Sequence, residues 1–436
     1  MLLAKIRHAF ISTSFSRVLA GQMVSVTGSN ATAVVIPLIA VITLNCSSFE
    51  VGILTAAESL AAAIFGIYIG KWCDRIGPDR TMLLSNLIGA AATGILFVIL
   101  YLNRISFPAL VALMLVIGIA SLGFDISRTG YTVALVPRER IPHANSLIEG
   151  ANAVGEGIGP SIGGWLFSTA GAAFSLLFDF VSYLVSSLLV FINVRKNRTE
   201  YARYDRQEHD AEDSGETANT DSADTDTDDY LSGFRYVLSN GVIRSIALSA
   251  GQFNFFTSAF FTVYYVFVVR NLDMNATEVG LAATFSGIAG IASAAVTGRI
   301  ISRIPSGPLY IHSLLGPSLA AVLVPLSSAF VGHRPIVLIA VCLSQFLWSF
   351  TVTVSVILGE SIKQVVAPEN MLGQVSSAER MIALVAEPIG ALAGGLCAGA
   401  IGEGITLYLC VLGLGSSILW TLGRTGILSF HKPSEW

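Results

Sequence analysis

The sequence predicts an all-α membrane protein with twelve transmembrane helices in two pseudo-symmetric six-helix halves, and three observations carry that prediction. Only 12% of the 436 residues are charged and 53% are hydrophobic, with a mean hydropathy of +0.70. A soluble domain carries roughly 25% charged residues. Ten of the 29 acids here crowd into 208–229, so the remainder cannot furnish a water-facing surface. Apolar stretches long enough to cross a hydrocarbon core of ~30 Å, which takes ~20 helical residues, recur twelve times. Third, polar landmarks of the first half return in the second at a nearly constant offset. This composition excludes a soluble enzyme, a nucleic-acid binder and a disordered chain, and a net charge of −4 leaves no basic field for polyanions.

The chain opens with a short tail carrying Lys5, Arg7 and His8 and no small-residue cleavage site, expected to be cytoplasmic and to lead into an uncleaved first span. The first six spans are expected near 17–43, 49–70, 82–102, 106–128, 144–168 and 172–194. The second six fall near 242–269, 277–299, 309–330, 335–358, 374–400 and 404–423. Glycines inside the spans, such as Gly155, Gly157 and Gly159, suit close helix approach in a bilayer. Runs such as Leu96–Leu102 lack the alternating polarity of barrel strands. With the N-terminus inside, the outer loops hold only Arg104, Arg270 and Arg334, which predicts cytoplasmic termini.

Three regions follow: a six-helix half over 1–197, a cytoplasmic charged linker over 198–236, and a second half over 237–436. The linker begins basic and turns acidic, and its Ser, Thr and Asp content predicts a largely disordered segment. Its basic start is suited to anionic lipid headgroups. Its Asp224-Thr-Asp-Thr-Asp-Asp run lacks the glycine and distal Glu of a calcium loop. The five cysteines show no metal-ligand spacing, the six histidines lie mostly near ends and loops, and no Gly-rich nucleotide motif occurs. No cofactor is expected.

The offset is specific. A shift of 228 places Glu50-Val51-Gly52 on Glu278-Val279-Gly280, and Gly70, Arg75 and Ile76 on Gly298, Arg303 and Ile304. A shift of 231 places Ser146, Glu156, Gly159, Gly163 and Gly164 on Ser377, Glu387, Gly390, Gly394 and Gly395. Two related helical halves around a central site are the geometry of alternating access.

The segment Gly70-Lys-Trp-Cys-Asp74-Arg75-Ile-Gly77-Pro-Asp-Arg80 resembles the loop between spans 2 and 3 of the major facilitator superfamily. Gly155-Glu-Gly-Ile-Gly159-Pro160-Ser-Ile-Gly163-Gly164 resembles the span 5 motif of its proton-coupled exporters. The run from Leu135-Val-Pro137 to Asn145-Ser146-Leu147 is similar to the macrolide and siderophore exporter branch. The resemblance covers nearly the whole chain and implies a secondary transporter that is not an enzyme. The chain departs from the pattern at Pro78 and Asp79, where basic residues are usual, and has no arginine in the outer half of span 4.

Within that resemblance Asp74 caps a neighbouring helix and exchanges contacts as the halves rock, with Arg75, Gly70 and Gly77 in the same gate. A charge-assisted contact of this kind holds one of two states. Asp125 with Arg128 and Glu360 with Lys363 are i,i+3 pairs near cytoplasmic span ends, read as local bridges or gates. Arg380 is grouped with them. Gly155, Gly159 and Gly163 are four apart and line one helix face beside Gly164, and Pro160 bends the helix, so this face can pack tightly and seal a leak.

Acids inside a membrane mark functional positions. Glu58, Glu149, Glu156 and Glu387 are the proton-coupling residues this reading selects. Glu58, Glu156 and Glu387 lie at similar depth, about 18–20 Å from the cytoplasmic end of their spans. Asp179 admits two readings, a functional acid or a buried interhelical hydrogen bond. The cavity between spans 1, 4, 7 and 10, with contributions from 5 and 11, would be lined by Gln22, Asn30, Asn254, Tyr264, Tyr265, Gln345 and Trp348, whose amide and aromatic groups suit bulky ligands, although for each aromatic taken singly interfacial anchoring or helix packing is the better account. The expected function is proton-coupled efflux of amphiphilic small molecules, antibiotic, drug or siderophore-like, by a monomer in the plasma (inner) membrane. Its partners are that substrate, protons and membrane lipids. A nutrient importer or facilitator, and a lipid flippase or scramblase, are the alternatives.

Overall fold

The computed structural model describes residues 13–136, 140–213, 227–368, 371–422 and 426–430. The N-terminal tail up to residue 12, Pro137 and residues 214–226 of the expected linker lie outside the described residues. The first half contains α1 (Thr13–Leu38), α2 (Ser48–Ile76), α3 (Pro78–Tyr101), α4 (Phe107–Leu135), α5 (Ile141–Ala170) and α6 (Ala172–Asp213). A short helix, α7 (Thr227–Ser239), precedes α8 (Gly241–Arg270) and α9 (Ala276–Ile301). The ninth span is broken into α10 (Ser306–Ser313), α11 (Gly316–Ala321) and α12 (Leu323–Ser327). Then come α13 (Arg334–Val366), α14 (Leu372–Ile401) and α15 (Glu403–Gly415).

Eleven helical segments among the described residues are long and apolar enough to cross a membrane. The twelfth span is α5, equally long but diluted by Asn145, Glu149, Asn152, Glu156 and its glycines. A polar stripe is tolerable there because Asn145, Glu149 and Glu156 are exposed on the side of the helix that its packed glycines leave open.

The internal repeat is now legible as joinery. Ser47 Oγ accepts from the Glu50 amide at 3.3 Å while Glu50 Oε2 accepts from the Ser47 amide at 2.8 Å. Asn275 and Glu278 do the same for α9, at 3.0 and 2.9 Å. The offset of Glu50 to Glu278 is therefore the distance between two capping boxes, each satisfying orphan donors at a helix start. Gly171 and Gly402 open α6 and α15 with φ of +93° and +88°, a conformation that costs glycine least.

Within the first half α1 packs on α5 and α6, α3 on α4 and α6, and α2 on α4. In the second, α8 packs on α14 and α15, and α13 on α9 and α11. The halves meet where α5 lies along α9 and α2 along α14. For orientation, the linker face is the end where α6 and α7 lie, and the far face is the opposite end.

At the far face the halves are tied. Arg270 at the end of α8 donates to Asn45 Oδ1 at 2.9 Å and to the Cys46 carbonyl at 2.8 Å. Ser48 Oγ donates to Glu403 at 3.3 Å, and the Thr277 amide to Ser168 Oγ at 3.0 Å. Midway, Ser161 and Thr284 share a hydrogen bond of 2.6 Å and Ser59 donates to Glu387 at 3.3 Å. Nearer the linker face the halves interact through the attraction of Arg380 for Asp125. Asp125, Glu149, Glu360 and Arg380 are exposed there. The interior therefore opens toward the linker face and is shut at the far one.

The linker differs from the expectation of a largely disordered 198–236. The backbone of α6 continues to Asp213, and α7 is amphipathic. Phe234, Tyr236 and Val237 meet Ile243, Val375 and Ala378, Ser232 Oγ donates to Gln374 Oε1 at 2.8 Å, and Tyr236 OH donates to the Val366 carbonyl at 3.3 Å. Three apolar side chains on one face suffice to dock a short helix on a preformed surface, which average composition conceals.

Candidate functional site

The glycine motif of α5 has two working faces. A Cβ on Gly159 or Gly163 would sit 2.6 Å from the carbonyl oxygen of Thr27 or Ala31, and Gly155 meets Val26, so this face lies directly on α1. Gly164 faces α9, against Ala276 and Gly280, and Gly287 of α9 points onto the backbone of Gly157. The second half repeats this: Gly390 and Gly394 lie on Phe255 and Ala259 of α8, and Gly395 lies on Ser48 and Phe49 of α2. Pro160 is buried at the α9 contact, where Gly280 approaches its carbonyl. Such small-residue seams let backbones touch where a bilayer offers no hydrophobic drive. They also fix where the acidic side chains beside them point.

Those acids form two pairs instead of one cluster. Glu387 of α14, from the other half, acts electrostatically on Glu58 of α2, as Glu58 does on Tyr265, while Glu58 itself lines a cavity of the first half. Glu387 accepts the hydrogen bond from Ser59. Glu149 and Glu156 are mutually within range along α5, both exposed to the opening. Glu149 accepts from Asn152 Nδ2 at 3.4 Å, and Asn152 Oδ1 accepts from Gln22 Nε2 at 2.9 Å.

Nearer the linker face Arg128 pairs with Asp125 at 3.7 Å. Arg380, from the other half, acts electrostatically on Asp125, as does Glu149. Lys363 binds Glu360 at 2.6 Å and also Glu379 at 2.8 Å, with its own side chain only 4% exposed. Asp74 and Arg75 are exposed and bond to no other described residue. Gly77 makes the turn into α3 with φ +91°, whereas the space beside Gly70 is open.

Of the residues expected to line the cavity, Asn30, Asn254 and Tyr265 are half-buried at its wall. Gln22 is wholly enclosed, and Tyr264, Gln345 and Trp348 sit inside the packing. Trp348 stacks on Phe260 at 5.4 Å and meets Phe261 edge-on at 5.2 Å, with Tyr264 in the same cluster. In this conformation these four do not face the opening.

Two cavities flank the centre, and sequence reasoning anticipated neither. One of about 80 Å³ lies between α1, α2, α4 and α6, lined by Ser29, Thr32, Thr55, Glu58, Asp179 and Tyr183 among others. Asp179 is 1% exposed and accepts from Thr32 at 2.8 Å and Ser182 at 3.0 Å. Ser29 donates to Tyr183 OH at 3.3 Å. The signal for it was present: hydroxyl residues on α1 and α6 facing one intramembrane acid. The other, of about 220 Å³, lies between α8, the broken span, α13 and α14. Among the described residues no group of three His, Cys, Asp or Glu side chains is arranged to hold a metal ion.

A family model described as Major Facilitator Superfamily matches residues 18–391. The chain is 26% identical over 391 residues to "Enterobactin exporter EntS" of Escherichia coli O1:K1 / APEC, covering 88% of this chain and 85% of that one. The Shigella boydii serotype 18 protein of the same description matches equally. Among solved structures, a bacterial homologue of the iron transporter ferroportin in an inward-facing state aligns with a TM-score of 0.69 at 16% identity, covering 94% and 99% of the two chains. The nucleoside transporter NupG aligns with a TM-score of 0.63 at 16% identity, covering 96% and 100%. These structural likenesses speak for the fold. With two glycine-jointed six-helix bundles around a one-sided opening, and with the family model spanning both, the chain belongs to the Major Facilitator Superfamily and is a multi-pass membrane transporter.

Proposed function

We propose that this protein is a proton-coupled exporter of amphiphilic, siderophore-like or drug-like small molecules in a bacterial inner membrane, with the linker face cytoplasmic and the two halves, 1–197 and 237–436, rocking about the central site. The observation that carries the reading is the hydrogen bond of 3.3 Å that Glu387 of the second half accepts from Ser59, the chain neighbour of Glu58 in the first, with Glu387 acting electrostatically on Glu58. One proton gained or lost there changes the energy of holding the halves in register, which makes protonation and conformation one event. The enterobactin exporters supply the substrate class as a likeness, and Asp74 and Arg75, unengaged on the open side, are placed to engage when that side closes.

The test is uptake into everted vesicles with an imposed proton gradient. The wild type is expected to accumulate an amphiphilic substrate, and Glu387→Gln and Glu58→Gln, which keep hydrogen bonding but cannot titrate, are expected to reduce gradient-driven accumulation at least about tenfold. Unchanged accumulation by both variants would overturn the coupling assignment. Gradient-driven movement in the opposite direction would make the protein an importer.

A further inference from the structure

The larger side cavity has a property that emerges only when its hydrogens are followed one by one. Ser249 Oγ donates to the Ile246 carbonyl at 2.9 Å, so in the 3.2 Å contact with Tyr310 it is the tyrosine O–H that donates. Ser313 Oγ donates to the Tyr310 carbonyl at 2.7 Å, and Ser355 Oγ donates to Ser313 Oγ at 2.7 Å. Both hydroxyls lining the cavity, Tyr310 and Ser355, have therefore spent their protons on the protein. Asn254 turns its Nδ2 to the Ala250 carbonyl at 3.0 Å and keeps Oδ1 free for the cavity.

The charges point the same way. Glu360 and Glu379 line the cavity, whereas Lys363, which binds both, does not. Two negative charges stand against one positive charge set behind them. The remaining wall is apolar, with Phe253, Leu314, Pro317, Val352 and Val356. A ligand therefore meets hydrogen-bond acceptors and net negative charge beside a greasy surface. An inorganic ion satisfies the first two but has no use for the third.

We propose that this cavity is a binding subsite for a protonated amine carried on an apolar ring, its ammonium held by Glu360, Glu379 and the Asn254 carbonyl oxygen. At about 220 Å³ it is smaller than the roughly 300–1,000 Å³ of a drug-sized site. It accommodates one amine-bearing arm of a larger substrate, the rest lying in the central opening. The physiological meaning of the subsite rests on the efflux reading, within which it selects cationic amphiphiles.

The experiment is equilibrium dialysis of the purified full-length chain in nanodiscs with three probes of one shape: naphthylmethylamine, naphthylmethanol and naphthylacetate. The amine is expected to bind at least about tenfold tighter than the alcohol, and the acid weakest. Glu360→Gln leaves Lys363 its bond to Glu379, so it strands no buried charge; it should erase the preference for amine over alcohol. Val356→Trp, an exposed wall position one helical turn before Glu360 that leaves both acids in place, should weaken amine and alcohol alike by at least about tenfold through filled space. Equal binding of alcohol or acid, an unchanged preference in Glu360→Gln, or unchanged amine affinity in Val356→Trp would each overturn the proposal. So would competition by sodium or potassium chloride beyond that of choline chloride at equal ionic strength, which would identify an inorganic cation site. Amine binding without gradient-driven transport would leave the subsite standing and remove the efflux reading; transport without amine preference would do the reverse.

Discussion

The two halves share their joints and differ in what those joints enclose. Each begins its second helix with a capping box, opens its last with a positive-φ glycine, and runs a glycine seam along its fifth. Inside, the first half is acidic: Glu58, Asp125, Glu149, Glu156 and Asp179 lie on α2 and α4–α6, with Arg128 as the basic residue beside them. The second half is aromatic around Phe260, Phe261, Tyr264 and Trp348, and its lysine is matched to two acids. What the duplicated unit retains is its helix starts and its close helix-to-helix contacts. What it is free to vary is the interior, so one half can specialise in titratable groups and the other in ligand surface.

The comparison can be broken most sharply at Lys363. Replacing it with Met leaves Glu360 and Glu379 together without their cation, and removing one partner of a buried pair costs about 3–5 kcal/mol; because Glu360 is half exposed, the lower end applies. The expected result is a large drop in melting temperature in detergent, with added hydrogen exchange confined to α13 and α14. An unchanged melting temperature would mean the triad is not a structural unit of the second half.

The shared joints make an intermediate and symmetric prediction. Gly164→Val and Gly395→Val both force a side chain into a facing backbone of the other half, and overpacking costs about 1–3 kcal/mol. Each should lower stability by a similar amount and reduce transport, measured on the same preparations. A strong effect from one and none from the other would show that the two seams are not equivalent. The smallest expected effect is at the capping boxes: Ser47→Ala and Asn275→Ala should each cost about 1 kcal/mol. Asymmetry there would sharpen the comparison by showing which far-face helix start carries load.

Much of this was legible before any coordinates. Glu50 and Glu278, Gly159 and Gly390, and Gly164 and Gly395 aligned because helix starts and close approaches demand particular residue types. Apolar run length was enough to find eleven spans, and the polar stripe of α5 is what composition alone passes over. The linker helix α7 was not legible, since its three apolar contacts are hidden in a polar average. Nor was the burial of Tyr264 and Trp348: an all-apolar helix has no periodicity to say which side faces ligand. The Glu360–Lys363 pair followed from i,i+3 spacing, but Glu379 joins it from the next helix, α14, and spacing is blind to that. Asp179 could be flagged as an expensive residue, and Ser182 and Tyr183 stand beside it by helical spacing, but only packing brought Thr32 of α1 to it.

The ninth span is a chain of short rods, α10, α11 and α12, with Pro308, Pro317 and Pro325 among them, while its counterpart α3 is one unbroken helix. Prolines remove ladder hydrogen bonds and concentrate bending at the gaps they leave. Tyr310, Leu314 and Pro317 from these rods form one wall of the larger side cavity. That wall is articulated, and an articulated wall yields under load where a single rod would push back. The volume of the cavity at rest is then a starting size and no ceiling, and tolerance of differently shaped guests becomes a mechanical property of the lining as much as a chemical one.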